Sequence, residues 1–385
     1  MLYDVGARDE NPERTGFAHL FEHLMFGGSS NIPSFDTPLQ KAGGENNAFT
    51  TNDITNYYIT VPADNIETAL WLESDRLLQL DFSEKALDVQ RKVVIEEFNQ
   101  RYLNQPYGNI PLLFSPLCYK THPYQWPTIG KDISHIEGAT LQEVQDFYFK
   151  HYNPANAILV IAGNFEEEYI VELAEKWFGN IKRPHNYQRN LPKEPVQTEA
   201  RRLEVVQDVP QHTIMIAYPM CNRFHRDYYT FDFLTDILSR GNSARLTQAL
   251  VKKQPLFSSL DAYISGSLDE GQIIVRGELL PETSIENAEK AILKQLELLK
   301  TEPIPDAEMQ KILNQIETSH TFQHISILNK AMNLAIFELL GDAEMVNHEA
   351  EKYKKVTPND ILRISNHTFI PEKSSTLVYK SSHLK

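Results

Sequence analysis

Two cysteines in 385 residues, Cys118 and Cys221, are too few for a disulfide framework or a thiolate zinc site, so cysteine usage leaves the redox compartment open. Long apolar runs are also missing. A membrane-spanning helix needs roughly 20 apolar residues, and the longest candidate, 155–165, is short, is broken by Asn164 and reads as a buried strand. No membrane span is expected. Positive charge is scarce: 37 Lys and Arg against 52 Asp and Glu leave a net charge of −15. A nucleic-acid surface needs the opposite balance, so no nucleic acid is expected as a partner, and the acidity is read as serving solubility. The opening residues Met1, Leu2, Tyr3 and Asp4 carry no basic stretch leading into an apolar one, so no signal peptide is read there. The compartment stays open between cytoplasmic and periplasmic. Gly241, Gly266 and Gly271 do not form a phosphate loop, and Ser258 and Ser259 have no His/Asp context for nucleophilic work.

What is present suits two domains of about 190 residues each. Phe17, Leu20 and Leu24 have helical spacing within 15–26, and Gly27 and Gly28 stop that helix. A glycine-bearing turn at Gly43 and Gly44 leads to 47–51 and then to 55–61, which alternates like a strand. The segments 66–80, 84–102 and 140–152 read as helices, and 157–162 as a buried strand. The chain also resembles itself. Thr140, Pro154 and the apolar run from Ile158 recur as Thr357, Pro371 and the run from Ser375, with fourteen residues from threonine to proline in each copy. Upstream, the helix after Phe82 recurs as the helix after Ile304. Two matching stretches in one order indicate a duplicated α+β unit. The expected division is an N-terminal domain over 1–182, a proline-bearing linker over 183–200 and a homologous C-terminal domain over 201–385.

The chemistry centres on His19-Leu20-Phe21-Glu22-His23. Residues four apart on a helix share a face, so both imidazoles can reach one ion. Glu22, three residues after His19, lies on the same side and can reach a water on that ion. A catalytic zinc takes three protein ligands plus water, lowers the water's pKa towards ~7 and lets a carboxylate accept its proton. A solvated helix face carrying two histidines and a glutamate is the bland alternative. The hydrophobes flanking the motif on both sides argue against it. A third ligand must come from elsewhere, and the helix over 84–102 offers two adjacent carboxylates, Glu96 and Glu97. They point about 100° apart, so one of them can face a common site, and periodicity does not choose between them. His122 reads as a turn residue, and His320, His324, His348 and His367 lack ligand spacing.

The run from Gly16 to Gly28, with Asn47-Ala48-Phe49-Thr50 and Val93-Val94-Ile95-Glu96-Glu97, resembles the pitrilysin/insulinase family of zinc peptidases, above all its short two-domain members related to mitochondrial processing peptidase. The resemblance covers nearly the whole chain. It implies two duplicated α/β-sandwich domains forming a clamshell, and a zinc-dependent endopeptidase working as a homodimer or heterodimer on peptides in an enclosed chamber. It selects Glu97 as the third ligand beside His19 and His23, with Glu22 as the base. It also implies that a peptide substrate binds as an added strand along Asn47, Ala48 and Phe49. Three departures accompany the likeness. The family's glutamate seven residues before the ligand glutamate is here Gln90, which can still act behind the ligands by hydrogen bonding. Family members carry further residues before the segment matching 2–6, so a sheet edge is expected to be missing. An arginine and a tyrosine seven apart in active members fall at Val251 and Ser258, with Lys252 and Tyr263 nearby. The family's heterodimers suggest that a homologous subunit supplies that pair. The rival expectation is a non-catalytic structural or assembly subunit of the same family.

Overall fold

The structure is a computed structural model and describes residues 1–182 and 187–384. Positions 183–186 of the expected linker, and Lys385, lie outside the described residues.

The chain forms two compact units. The first gathers Met1–Gln105, His122–Lys193 and Gln323–Val346, and the second Pro106–Thr121, Glu194–Phe322 and Asn347–Lys385. Two segments therefore depart from a single division at 183–200. The helix Ile110–Cys118 belongs with the second unit, where the Arg201 guanidinium donates to Cys118 O at 2.6 Å. The helix Ile327–Leu339 belongs with the first, burying Ala335 beside Leu2 and Ile54 and packing against Phe49 and Ile158. An apolar helix face says that something covers it, not which sheet does.

The first unit is built on an antiparallel sheet of β1 (Leu2–Tyr3), β2 (Glu45–Thr50), β3 (Thr55–Thr60) and β4 (Ala157–Ile158), in the order β2-β3-β1-β4. Thr51 makes the turn after β2, its hydroxyl accepting from Asp53 N and Ile54 N. β2 lies at the sheet edge and pairs only with β3, Asn47 opposite Tyr58 and Thr50 opposite Thr55. The strand expected over 157–162 is shorter than its sequence suggested. β1 offers it only Leu2 and Tyr3 as partners, so pairing stops at Ile158. Residues 159–162 instead line a cavity of about 750 Å³ together with β3, the helix Ile66–Leu78 and the helix Ile327–Leu339.

The second unit carries β5 (Arg201–Gln207), β6 (Thr213–Pro219), β7 (Phe257–Ile264), β8 (Gln272–Leu279) and β9 (Ser375–Ser381), in the order β5-β9-β6-β8-β7. β5 and β9 are parallel and the other pairs antiparallel. Helices Tyr228–Ser239, Ile285–Thr301 and Pro358–Thr368 send Phe233, Ile237, Ile292, Leu296 and Ile361 into its core.

The duplication read in the sequence is visible as repeated local chemistry. Thr140 and Glu143 form a capping box at the start of the helix Leu141–His151, and Thr357 and Asp360 do the same for Pro358–Thr368. Each helix then runs through a proline-led turn, Pro154–Asn156 or Pro371–Lys373, into a strand. The fold is thus the α+β arrangement expected, in two related halves.

The helix that carries the histidine motif, Phe17–Leu24, starts at Gly16, whose φ of +91° is left-handed. An added Cβ there would meet Ile129 O at 2.6 Å. Gly16 has no side chain to cap the helix, and Glu10 takes that task from a distance. Its two carboxyl oxygens accept from Gly16 N at 2.9 Å and Ala18 N at 2.8 Å, in a site where Glu10 is buried. Burial pushes the Glu10 carboxyl up to about 8, and the two backbone donors pull it back only in part. Stranding a buried donor costs roughly 1–3 kcal/mol, so Glu10→Ala should lower the free energy of unfolding by about 3 kcal/mol in denaturant titrations. A loss under about 0.5 kcal/mol would show that water replaces the cap without penalty.

Candidate metal centre

The motif helix is divided lengthwise by its own sequence. Phe17, Ala18, Leu20, Phe21 and Leu24 face inward and are buried, and the Phe21 ring stacks on Phe147 at 5.1 Å and on Tyr152 at 5.2 Å. The opposite side is left to His19, Glu22 and His23, all half-buried. The two imidazoles stand edge to face, with centroids 4.8 Å apart.

The helix Glu84–Phe98 supplies the third donor. Ser83 caps it by accepting from Ala86 N, and Leu87, Val94 and Phe98 are its buried stripe. Glu97 lies beside that stripe and is half-buried. Glu96 is exposed and accepts from the Gln100 amide at 2.8 Å. The fold thereby makes the choice that the helical period left open. Glu97 Oε2 sits 3.3 Å from His23 Nε2 and 3.7 Å from His19 Nε2, and one donor atom from each of the three residues lies within 4.8 Å of the other two. Glu97 Oε1 is turned the other way, to the Arg101 guanidinium at 2.8 Å.

Burial holds the His19 imidazole near 4, so the ring is neutral at neutral pH and keeps a lone pair to donate. Its Nδ1 is buried with no hydrogen-bond partner among the described residues, and Nε2 is the nitrogen offered to the site. Glu97 is held below the usual carboxylate range, first by its hydrogen bond with His23 and then, against the cost of burial, by the nearby Arg101 guanidinium. The donor set is therefore two imidazole nitrogens and one ionised oxygen. Four donors at ~2.0–2.1 Å around a tetrahedral zinc stand about 3.4 Å apart, close to the spacing of Glu97 Oε2 from the two imidazoles. The residues fit a zinc ion.

Glu22 lies on the same helix side. Its Oε2 accepts from the Thr50 hydroxyl at 2.6 Å. Burial raises its carboxyl above the usual range, and the Thr50 hydroxyl and the neighbouring His23 pull it back down.

The other expected positions separate into two groups. Asn47, Ala48 and Phe49 lie on the edge strand β2, Asn47 exposed with its side-chain oxygen accepting from Ala48 N at 2.8 Å, and Phe49 partly packed against the Ile54 cluster. Gln90 lies two turns before Glu97 and close to Gly27, and makes no hydrogen bond to His19, His23 or Glu97. In the second unit Val251 packs against the core, and Ser258 donates to Gln211 Oε1 and Glu278 O. Neither carries a cation or a phenol. Lys252 donates to Asn242 O at 3.0 Å, and Tyr263 lies on β7. His122 forms a turn, its Nδ1 accepting from Tyr124 N. Sequence reasoning missed Glu10, Thr50 and Arg101. Arg101 alone had a readable signal, four residues after Glu97 on a continuing helical segment.

Comparison with known proteins places the chain by family and fold. A model described as Insulinase (Peptidase family M16) matches residues 1–110, and one described as Peptidase M16 inactive domain matches residues 138–316. The chain is 29% identical to the zinc protease PqqE of Helicobacter pylori, over 99% of this chain and 86% of that protein. It is 27% identical to the uncharacterized zinc protease YmxG of Bacillus subtilis, over 82% of this chain and 76% of that one. A crystal structure of a protease from Helicobacter pylori superposes with a TM-score of 0.92 at 29% identity, covering 98% of this chain and 93% of the other. The peptidase M16 inactive domain of Pseudomonas fluorescens has the same fold, with a TM-score of 0.86 at 17% identity over 99% and 91% of the two chains.

Zinc titration of the purified chain should reach about one equivalent, because among the described residues a single group of three ligands converges. His23→Ala should lose that stoichiometric zinc, whereas Glu96→Gln, altering an exposed side chain bonded to Gln100, should keep it. Retention of a full equivalent by His23→Ala would place the metal elsewhere.

Proposed function

The chain belongs to the insulinase family of peptidases, family M16, and on that premise we propose that it is a zinc-dependent metalloendopeptidase subunit hydrolysing peptides held in extended form. The observation that carries this reading is the convergence of His19 Nε2, His23 Nε2 and Glu97 Oε2, with the Glu22 carboxylate on the same helix side. A scaffold has no use for a base held beside three ligand donors, and for that reason the catalytic reading is preferred to a non-catalytic assembly subunit.

His19, His23 and Glu97 would hold the zinc, which supplies Lewis acidity that polarises the scissile carbonyl and acidifies water. Glu22, with one oxygen engaged by Thr50, accepts the proton of the attacking water and delivers it to the departing amine as the C–N bond breaks. Arg101 holds the far oxygen of Glu97 and leaves the near one facing the two imidazoles. The edge position of β2 supports substrate binding by strand addition along Asn47, Ala48 and Phe49. An extended peptide would gain main-chain hydrogen bonds there with little demand on its sequence.

Oxyanion stabilisation is the part for which Val251 and Ser258 offer no donor like the family's arginine and tyrosine. We assign it to a homologous partner subunit bearing that pair, in a heterodimer enclosing the substrate. A homodimer would leave the requirement unmet unless Lys252 or Tyr263 serves in its place.

Glu22→Gln should retain one zinc per chain and lose at least about 100-fold in kcat, since general-base catalysis contributes on the order of 10²–10⁴. Unchanged turnover by this variant would remove Glu22 from its role. The isolated wild-type chain should cleave unstructured peptides slowly, and adding an Arg/Tyr-bearing homologue should raise the rate on the order of 100-fold, with a maximum at equal stoichiometry. Rapid zinc-dependent turnover without a partner would contradict the heterodimer.

A further inference from the structure

We infer that Thr50 is a positioning residue for Glu22, locking the base to the same strand along which the substrate would lie; the inference rests on the peptidase reading above. Three observations carry it. The Thr50 hydroxyl donates to Glu22 Oε2 at 2.6 Å, and among the described residues this is the side-chain bond that fixes the Glu22 carboxylate. Thr50 is the last residue of β2, three positions beyond Asn47, and is itself held in register opposite Thr55. Immediately after it the chain is pinned by the Thr51 turn, where Thr51 N donates to Ile54 O at 2.8 Å and the Thr51 hydroxyl accepts from Asp53 N and Ile54 N.

Glu22 stands on a helix and the proposed docking residues on a strand, and the packing that fixes the helix does not by itself orient the Glu22 carboxylate, which ends a side chain with three torsions. The Thr50 bond ties one oxygen of the carboxylate to the strand. At about 3.3 Å per residue, Asn47 to Phe49 lie within roughly 10 Å of Thr50 along the same backbone. A peptide aligned on β2 is thereby aligned on the base as well. Threonine suits the task because its branched Cβ restricts χ1, so the hydroxyl is aimed before the carboxylate arrives. Proton transfer needs the base within about 0.5 Å of its productive place, which a half-buried glutamate with three side-chain torsions does not achieve unaided.

The test compares Thr50→Val, which replaces the hydroxyl by a methyl of similar size, with Thr50→Ser, which restores it. The assay uses zinc-loaded protein in whichever form the wild type cleaves, alone or with its partner. Losing a hydrogen bond to a charged group should lower kcat on the order of 10-fold for Thr50→Val, with KM within about twofold and zinc still at one per chain. Thr50→Ser should recover the rate to within about threefold. In a Glu22→Gln background Thr50→Val should cost nothing further, because a residue that acts through Glu22 has no effect once the base is gone. Crystals of Thr50→Val should show the Glu22 carboxylate turned away from its wild-type position. Wild-type kcat in Thr50→Val, a loss confined to KM or to zinc content, or an undiminished loss in the Glu22→Gln background would each overturn the inference. If the zinc-loaded wild type cleaves no peptide in either form, the peptidase reading is what fails. The position of Glu22 in the Thr50→Val crystal then decides the positioning claim alone, and an unmoved carboxylate refutes it.

Discussion

The burial of one side of an eight-residue helix is the constraint on which the site depends. Phe17, Leu20, Phe21 and Leu24 are committed to the core of the first unit, where Phe21 stacks among Phe147, Tyr148 and Tyr152. Burying aromatic side chains of this size is worth a few kcal/mol each, which fixes the rotation of the helix about its axis. His19, Glu22 and His23 have no freedom in the matter: they take the side that the hydrophobes leave. Glu10 then fixes the helix along its axis by holding its first amides. A second helix, Glu84–Phe98, is oriented in the same way by Leu87, Val94 and Phe98, and brings Glu97 to the imidazoles.

Electrostatics completes what packing begins. Two imidazoles and a carboxylate in a half-buried position would ordinarily settle as a protonated ion pair. Here burial keeps His19 neutral, and the His23 hydrogen bond and Arg101 keep Glu97 ionised. The result is a neutral imidazole and an ionised carboxylate gathered beside a second imidazole, a set of groups that suits a divalent cation. Glu22 is treated differently from Glu97 although both are half-buried carboxylates: at Glu22 burial outweighs the Thr50 hydroxyl and His23 and its pKa moves up, whereas at Glu97 the His23 hydrogen bond outweighs burial and its pKa moves down. A carboxylate that binds protons more readily suits a base, and one that binds them less readily suits a ligand.

Much of this was legible in the sequence because it rests on local spacing. The positions of His19, Glu22 and His23 follow from the helical period, and the duplication follows from two threonine capping boxes each leading through a proline turn into a strand. Choosing Glu97 over Glu96 was different. A helix wheel separates them by an angle but does not say where the neighbouring helix lies, and the resemblance was needed to decide before packing could. The strand expected over 157–162 ends at Ile158: strand propensity ignores whether a partner is available, and β1 supplies only two residues. The helices Ile110–Cys118 and Ile327–Leu339 group with the unit that their place in the chain does not suggest, which only tertiary contacts reveal. Thr50 and Glu10 were unreadable for the same reason, since a threonine ending a strand and a glutamate in a loop acquire their tasks from partners 28 and 8 residues away.

Packing alone brings His19, His23 and Glu97 together as the proposed zinc ligands. Anomalous diffraction at the zinc edge from crystals of the zinc-loaded chain tests it directly. A single strong peak should appear, ~2.0–2.2 Å from His19 Nε2, His23 Nε2 and a Glu97 oxygen, with Cys118 and Cys221 taking no part. A principal peak ligated by any other group of residues, or no peak within reach of these three, would contradict the account.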